Sequence, residues 1–193
     1  MISERHLAPV ESPAAESQEP AAAEEMPEPP VLRDVMANFA TGITVLTSGG
    51  DFCHGMTANA FSSVSLDPPM VLCCIARTAQ MHEALLRTRY FGVSVLSADQ
   101  EHLARHFASR SRPEGLAQFE NIDWTPARRS GAPLLEGSLA WLECEVAEVY
   151  HGGDHSIFLG TVLDATRRAG DALLFFDGDF HQAPLPDQGT LSA

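Results

Sequence analysis

The stretch Gly55–Pro69, which reads GMTANAFSSVSLDPP, decides how the fold of this chain is interpreted. It has the character of a β-strand that stops at Asp67-Pro68-Pro69, yet it is rich in small and hydroxylated residues. Because alternate residues of a strand share a face, the spacing predicts one polar face and one face of small side chains. The polar face would consist of Thr57, Asn59, Phe61, Ser63 and Ser65.

Two interpretations of this strand stay open from the pattern alone. Small side chains beside hydroxyls and an amide suit a flat ligand that carries a polar chain. A barrel strand with a solvated outer face accounts for the same residues, because exposed polar positions require no function.

The remaining segments predict a mainly β protein. Apolar runs such as ITVLTS, MVLCCIA and YFGVSVLS have the length of strands, and Gly-rich turns separate the strands of the carboxyl-terminal part. We expect about six strands in hairpins with two or three helices, which favours an antiparallel β-barrel over a doubly wound sheet. The first predicted helix begins near Val31 and has an apolar stripe of Val31, Val35, Met36 and Phe39.

Composition divides the chain into three parts. Residues 1–30 hold almost only Ala, Glu, Pro and Ser, a composition that predicts a disordered acidic tail. The folded domain is expected over residues 31–182, and residues 183–193 are predicted to form a flexible tail.

Charge and composition exclude several classes of function. The net charge of −14 disfavours nucleic-acid binding, and the absence of lysine excludes a P-loop ATPase or a pyridoxal Schiff-base enzyme. No apolar run approaches the roughly 18 residues of a membrane span, and no secretory signal is recognisable. Four cysteines without a CxxC spacing predict reduced thiols and a cytoplasmic protein.

Two histidine-containing segments allow either a structural or a functional interpretation. His102 and His106 have the i, i+4 spacing of a metal pair, but without a third ligand we expect a solvated helix face and no metal site. HGGDH, His151 to His155, is either a plain hairpin or part of a site.

Five segments in this order resemble the flavin reductase domain family. They are FATGITVLTS, GMTANAFSSVSLDPPMVLCCIART, FGVSVLSADQEHLARHFA, GDHSIFLGTV and LLFFDGDFH, which together cover most of residues 31–181. The combination of TANAFSSVSLDPP with a later GDH is specific. The resemblance implies an FMN-binding split barrel that is a homodimer. It also implies use of NADH or NADPH to reduce FMN or FAD, as in the reductase components of two-component flavin monooxygenases.

The resemblance also implies roles for individual residues. Thr57, Ala58 and Asn59 would lie along the flavin ring and ribityl chain, and Ser62 and Ser63 near the ribityl and phosphate. His155 would contact the nicotinamide and is the one expected catalytic residue. The other cofactor-binding positions that the resemblance implies are Cys74, Ile75 and Ala76 beside the isoalloxazine, Arg77 and Thr78 at the phosphate, Phe107 near the ring, and Asp154 with His155 in the GDH motif.

The chain departs from the family pattern at two places. Ala79 and Gln80 stand where relatives often carry Ser or Thr, and this affects the expected phosphate contacts. Asp177 and Asp179 flank a glycine where relatives often have Arg, and this affects the cofactor or partner surface.

The expected function is therefore that of an NAD(P)H:flavin oxidoreductase. Hydride transfer is carried by the cofactors, so the protein needs to supply position and electrostatics rather than an acid–base pair. Reduced flavin would diffuse to a partner flavin-dependent monooxygenase. The alternatives are a flavin-binding split barrel without turnover, serving as a sensor or carrier, and a self-contained flavin oxidase, for which the chain has little room.

Overall fold

A computed structural model describes residues 29–184 of the 193-residue chain. This part has three α-helices, which are α1 (Pro29–Ala37), α2 (Gln80–Thr88) and α3 (Glu101–Ala108). Its strands are β1 (Thr41–Gly42), β2 (Thr44–Ser48), β3 (His54–Ala58), β4 (Phe61–Leu66), β5 (Pro69–Ala76), β6 (Tyr90–Val95), β7 (Trp124–Pro126), β8 (Pro133–Leu135), β9 (Ala140–Gly152), β10 (His155–Arg167), β11 (Ala172–Phe176) and β12 (Asp179–Ala183).

Antiparallel pairing dominates the structure. A seven-stranded sheet has the order β3-β2-β6-β9-β10-β5-β4, and a three-stranded sheet has the order β1-β11-β12. Strands β7 and β8 form a separate two-stranded hairpin. The predicted mainly β, antiparallel fold class is confirmed.

The single long strand expected over GMTANAFSSVSL is wrong. The chain leaves β3 after Ala58 and begins β4 at Phe61, and these two strands are the opposite edges of the seven-stranded sheet. Asn59 and Ala60 form the link between them, where the Phe61 N–H donates to Asn59 O at 3.0 Å. The sheet therefore curls so far that two residues join its two edges.

The inner face of the curled sheet encloses the main hydrophobic core. Every strand of the seven contributes to it, and the apolar face of α2 closes it through Met81, Ala84 and Leu85. These three residues are spaced at i, i+3 and i+4, so they lie on one face of the helix and pack together against the core. Fully buried Phe91 and Phe158 are the largest side chains of this cluster.

A second core lies on the outer face of β2. Val45 of that strand packs with Leu103, Ala104 and Phe107 of α3, and with Leu173 of β11. Helix α3 therefore covers the outer side of the sheet near β2 and β3.

The chain termini lie partly beyond the described residues. Within the described residues, regular structure runs from Pro29 to Ala183, and the predicted domain limits at residues 31 and 182 stay predictions. The predicted tails fall outside the described residues over 1–28 and 185–193. Within residues 29–184, no helix has the length and apolar character that crossing a membrane requires.

Arg112 attaches the segment after α3 to the edge strand β3. Its Nη2 donates to Gly55 O at 2.8 Å and approaches His54 Nε2 at 3.0 Å, and its Nη1 donates to Ser109 O. Gln118 Oε1 accepts the Gly55 N–H at 2.8 Å. Side chains thereby satisfy backbone groups of a strand that has no further strand neighbour on that side.

Burial, and then the positive charge of Arg112, lower the pKa of His54 to about 4, while Glu114 opposes the shift. His54 is 8% exposed, so its ring is held neutral and its Nε2 accepts from the guanidinium. An unfolded chain takes up this proton near pH 6.5, whereas the native chain does so only near pH 4.

We predict that this histidine makes the protein less stable as the pH falls. Stability from neutral His54 is complete above pH 6.5 and is lost as the pH approaches 4, by about 2 kcal/mol between pH 7 and pH 5. Urea unfolding at both values measures the loss, which should shrink in His54→Gln and persist in His102→Gln, a matched exposed histidine. Equal losses in wild type and His54→Gln contradict the assignment.

Candidate functional site

One part of the outer face of the sheet is not covered by a helix. In β10, Ser156 and Phe158 are buried toward the core, so the alternating residues His155, Ile157 and Leu159 point outward. They lie opposite Ala76, Cys74 and Leu72 of β5, and opposed residues share a face. We call these six half-buried side chains the outer patch: Leu72, Cys74, Ala76, His155, Ile157 and Leu159.

The three predicted ring-bordering residues of β5 divide between the two faces. Cys74 and Ala76 belong to the outer patch, whereas Ile75 is fully buried in the inner core. The side chain of Ile75 therefore has no surface for a ligand on the patch, and only its backbone borders that side.

The link between β3 and β4 lies beside the patch. Ala60 O accepts the Cys74 N–H at 2.9 Å, which fixes the link against β5, and both Asn59 and Ala60 are exposed. Ala58 packs in the inner core, and the Thr57 hydroxyl donates to Ala104 O at 2.7 Å. Asn59 is thus presented to solvent, while the side chains of Thr57 and Ala58 are used in packing and in holding α3.

Ser62 and Ser63 lie on opposite faces of β4. Ser62 opposes Leu72 on the patch side, and Ser63 opposes Val71 on the core side. A bulge lies between Ser63 and Ser65, where the register of β4 with β5 shifts. The shift places Ser65 opposite Met70, on the same side as Ser62, so the predicted single polar face does not form.

A polar pocket of about 450 Å³ lies where β5 ends and α2 begins. Arg77, Thr78, Gln80 and His82 line it, and the first two are exposed. Ala79 caps α2 without a side-chain hydrogen bond, so the amide dipoles at this helix start have no hydroxyl competing for them. Ala79 also offers no side-chain hydroxyl to a phosphate at this position.

The GDH segment forms a tight turn next to this pocket. Gly153, at φ 66°, and Asp154 connect β9 to β10, and the Arg77 N–H donates to Asp154 O at 3.0 Å. His155 Nδ1 donates to Asp154 Oδ1 at 2.7 Å, which directs Nε2 away from the carboxylate. This hydrogen bond, and then the charge of a protonated His155, lower the pKa of Asp154.

Phe107 is not brought to the patch. Its ring is fully buried in the second core, 5.1 Å from the Phe119 ring, and it fills the space beside Gly55 that a Cβ would occupy. His106 Nε2 lies 2.7 Å from Gln118 O, whereas His102 is exposed. Within residues 29–184, no three His, Cys, Asp or Glu side chains form a group that could hold a metal ion.

Asp177 and Asp179 have structural roles in the last hairpin. Asp177 and Gly178 form the turn between β11 and β12, with φ values of 50° and 80°. Asp179 pairs with Arg105 of α3 at 3.2 Å, and the Arg105 guanidinium stacks on the Phe180 ring at 4.7 Å.

Sequence reasoning missed the apolar members of the outer patch. Leu72, Ile157 and Leu159 were not singled out, although alternation along β5 and β10 would have found them. Their side chains give the patch an apolar floor, and Gly152, opposite His155, adds no side chain there.

The arrangement suits a flat aromatic ligand that carries a phosphate. An apolar floor, small neighbours at Ala60 and Ala76, and an oriented imidazole border the patch. At one end of the patch lie the guanidinium of Arg77 and the start of α2, which has no side-chain hydrogen bond at its N-cap. These features fit a flavin ring on the patch with its phosphate toward Arg77.

The chain is similar to known flavin reductases over most of its length. The family model for the flavin reductase like domain matches residues 36–184. The NADH-dependent FAD reductase of Streptomyces globisporus is 52% identical over 160 residues, which are 82% of this chain and 88% of that protein.

Two solved structures are also similar. BorF, the flavin reductase component of a bacterial two-component tryptophan halogenase, has a TM-score of 0.78 at 49% identity, covering 81% of this chain and 99% of BorF. The Streptomyces globisporus NADH:FAD oxidoreductase SgcE6, solved with NAD and FAD fragments, has a TM-score of 0.78 at 48% identity, covering 86% and 99% of the two chains. The chain belongs to the family of flavin-reductase-like domain proteins.

Proposed function

We propose that this protein is an NADH:flavin oxidoreductase that reduces FMN or FAD. The observation that carries the proposal is the outer patch, which has the oriented His155 at one end and Arg77 beside it. Family membership supports it, and the NADH named for the similar reductases favours NADH over NADPH as the donor.

Bound flavin and nicotinamide would supply the hydride chemistry, and the residues of this chain would position the two rings. Cys74, Ala76 and Ile157 present a flat, half-buried floor against which an aromatic ring can stack without displacing side chains. Exposed Asn59 and Ser62 stand where they can hydrogen-bond the polar chain of the flavin. Arg77 and the start of α2 would hold its phosphate.

His155 would orient the nicotinamide. Its Nδ1 is engaged by Asp154, so its Nε2 is the atom free to meet a second ligand at the rim of the patch. Hydride transfer requires the protein to hold the two rings close together and aligned. Phe107 and Ile75, both fully buried, would act only by supporting the backbone of the site.

We expect His155→Ala to lower kcat/KM for NADH by about tenfold or more, because a positioning contact to the nicotinamide is lost. Flavin-dependent NADH oxidation, followed at 340 nm, measures this with FMN and with FAD. His102→Ala, which removes an exposed histidine of α3, is the control and should retain wild-type constants.

Two results would contradict the proposal. Wild-type protein that oxidises neither NADH nor NADPH with either flavin is not a flavin reductase, and flavin retained without turnover favours the sensor or carrier alternative. Unchanged constants in His155→Ala would show that His155 does not contact the nicotinamide.

We also propose that two copies of the chain associate. The apolar side chains of α1, together with Phe39 just after the helix, are exposed in the single chain: Val31 53%, Leu32 54%, Val35 60%, Met36 51% and Phe39 64%. A single exposed apolar side chain is normal, but five on one short segment form a contiguous apolar surface. Packing against a second copy would remove this surface from water.

Light scattering on a sizing column should give twice the chain mass of 20.8 kDa. The double variant Val35→Glu/Phe39→Glu should shift the protein toward the single-chain mass, because burying two carboxylates opposes association. Leu116→Glu, at a position 58% exposed outside α1, is the matched control and should leave the mass unchanged. A wild-type protein of single-chain mass contradicts the proposal.

We also propose that this protein supplies reduced flavin to an oxygenase. The similarity to BorF, a component of a two-component halogenase, supports delivery of diffusible reduced flavin to a partner flavin-dependent monooxygenase. A moderately open patch without a charge cluster suits a flavin that leaves after reduction. We propose the cytoplasm as its location, where NADH is supplied and where free Cys53, Cys73, Cys74 and Cys144 stay reduced.

A further inference from the structure

A hydrogen bond from α2 reaches the residue next to His155. His82 Nε2 lies 2.9 Å from the Ser156 hydroxyl, 74 positions away in sequence. Ser156 is only 1% exposed, and this is its side-chain hydrogen bond in the described part of the chain. The His82 ring also meets the Phe158 ring edge-on, with centroids 5.2 Å apart.

The position of Ser156 controls the position of His155. Adjacent strand residues point to opposite faces, so a side chain held on the inner side fixes how far its neighbour stands out from the sheet. His155 is the first residue of β10, directly after the turn, and its pairs with Ala76 of β5 and Gly152 of β9 are the last of both ladders. Strand ends open more readily than strand centres, so side-chain contacts there add to the ladders in holding the backbone.

A second tether acts on the residue before His155. The Arg77 N–H donates to Asp154 O at 3.0 Å, and Asp154 Oδ1 in turn accepts from the His155 ring. Arg77 and His82 flank the start of α2. Residues 154 and 156 are therefore both held from the same end of α2, with His155 between them.

We propose that His82 is a positioning residue for hydride transfer, which acts through Ser156 to hold His155 at the rim of the outer patch. This inference rests on the proposed role of His155 and extends it. His82 lies outside the outer patch, so its effect on His155 would pass through the strand. It also lines the pocket beside Arg77, and an unchanged flavin Kd distinguishes the positioning role from a contact to the flavin phosphate.

The surroundings of His82 keep its ring neutral. Burial, Arg77 and His151 lower its pKa, against an opposing effect of Glu83 on the same helix. Ser156 and Phe158 of β10 are the uncharged groups that face it. A neutral imidazole can form a hydrogen bond with the Ser156 hydroxyl without placing a charge against the Phe158 ring.

Removing either partner of this hydrogen bond tests the proposal. In the full chain, His82→Ala should lower kcat/KM for NADH by about tenfold and leave the flavin Kd within about twofold, because the nicotinamide contact alone is displaced. His82→Gln, whose amide can reach the position of Nε2, should restore most of the activity. His102→Ala is again the matched control.

The pair should also behave as one unit. Ser156→Ala should impair NADH turnover in the same way, and the double variant His82→Ala/Ser156→Ala should be no worse than the more impaired single variant. If His82→Ala does not fold, as judged by its thermal transition, Ser156→Ala and His82→Gln carry the same test. Additive losses would show that the two residues act independently and would overturn the proposal.

Other outcomes separate this inference from the proposed function. If His155→Ala impairs turnover while His82→Ala and Ser156→Ala match the wild type, only the positioning role is wrong. If the flavin Kd rises by the same factor as kcat/KM falls, His82 has a general structural role and the proposal is overturned. If His155→Ala itself has no effect, the role assigned to His155 fails, and the proposal falls with it.

Discussion

Two residues, Asn59 and Ala60, join the two edges of a seven-stranded sheet, and the rest of the structure depends on this link. Three Cα–Cα steps from residue 58 to residue 61 span at most about 11 Å. A flat sheet with six gaps between strands would be about 29 Å wide. The sheet must therefore curl. The curl creates an enclosed inner face and an outer face, which either packs against other elements or stays open to a ligand.

The two faces of the curled sheet have different roles. The inner face takes side chains from all seven strands and is closed by α2. The outer face is covered by α3 at one side and left open along β5 and β10 at the other. The open part contains small and apolar side chains with a histidine at its rim, which is where a flat cofactor can stack. The same link that closes the sheet supplies exposed Asn59 at the edge of this patch.

Much of this arrangement was predictable from local sequence patterns, and the failures have physical causes. The family resemblance implied Cys74 and Ala76 for the site, and both side chains face the outer patch because β5 has no irregularity in its pairing with β10. Alternation failed at Asn59–Ala60, where the strand breaks without a Gly or Pro to mark the break. It failed again after Ser63, because a bulge leaves no mark in the sequence and inverts the face of each later residue.

Contacts distant in sequence were beyond such reasoning. The buried position of Phe107 depends on Phe119 and on the lack of a side chain at Gly55, and no helical spacing reveals either. The bond between His82 and Ser156 joins a helix to a strand that no local pattern places together. Motif resemblance implied which residues would lie near a cofactor, and the structure separates those whose side chains face the patch from those that pack beneath it.

A crystal structure of the protein with bound FMN would test the central claim most directly, by locating the isoalloxazine ring. The account predicts the ring on the outer patch, stacked against Cys74 and Ala76, with the phosphate toward Arg77 and the start of α2. A ring bound elsewhere, for example against α3 or in the pocket beside Trp141, would contradict the claim that the curl of the sheet builds the flavin site on this face.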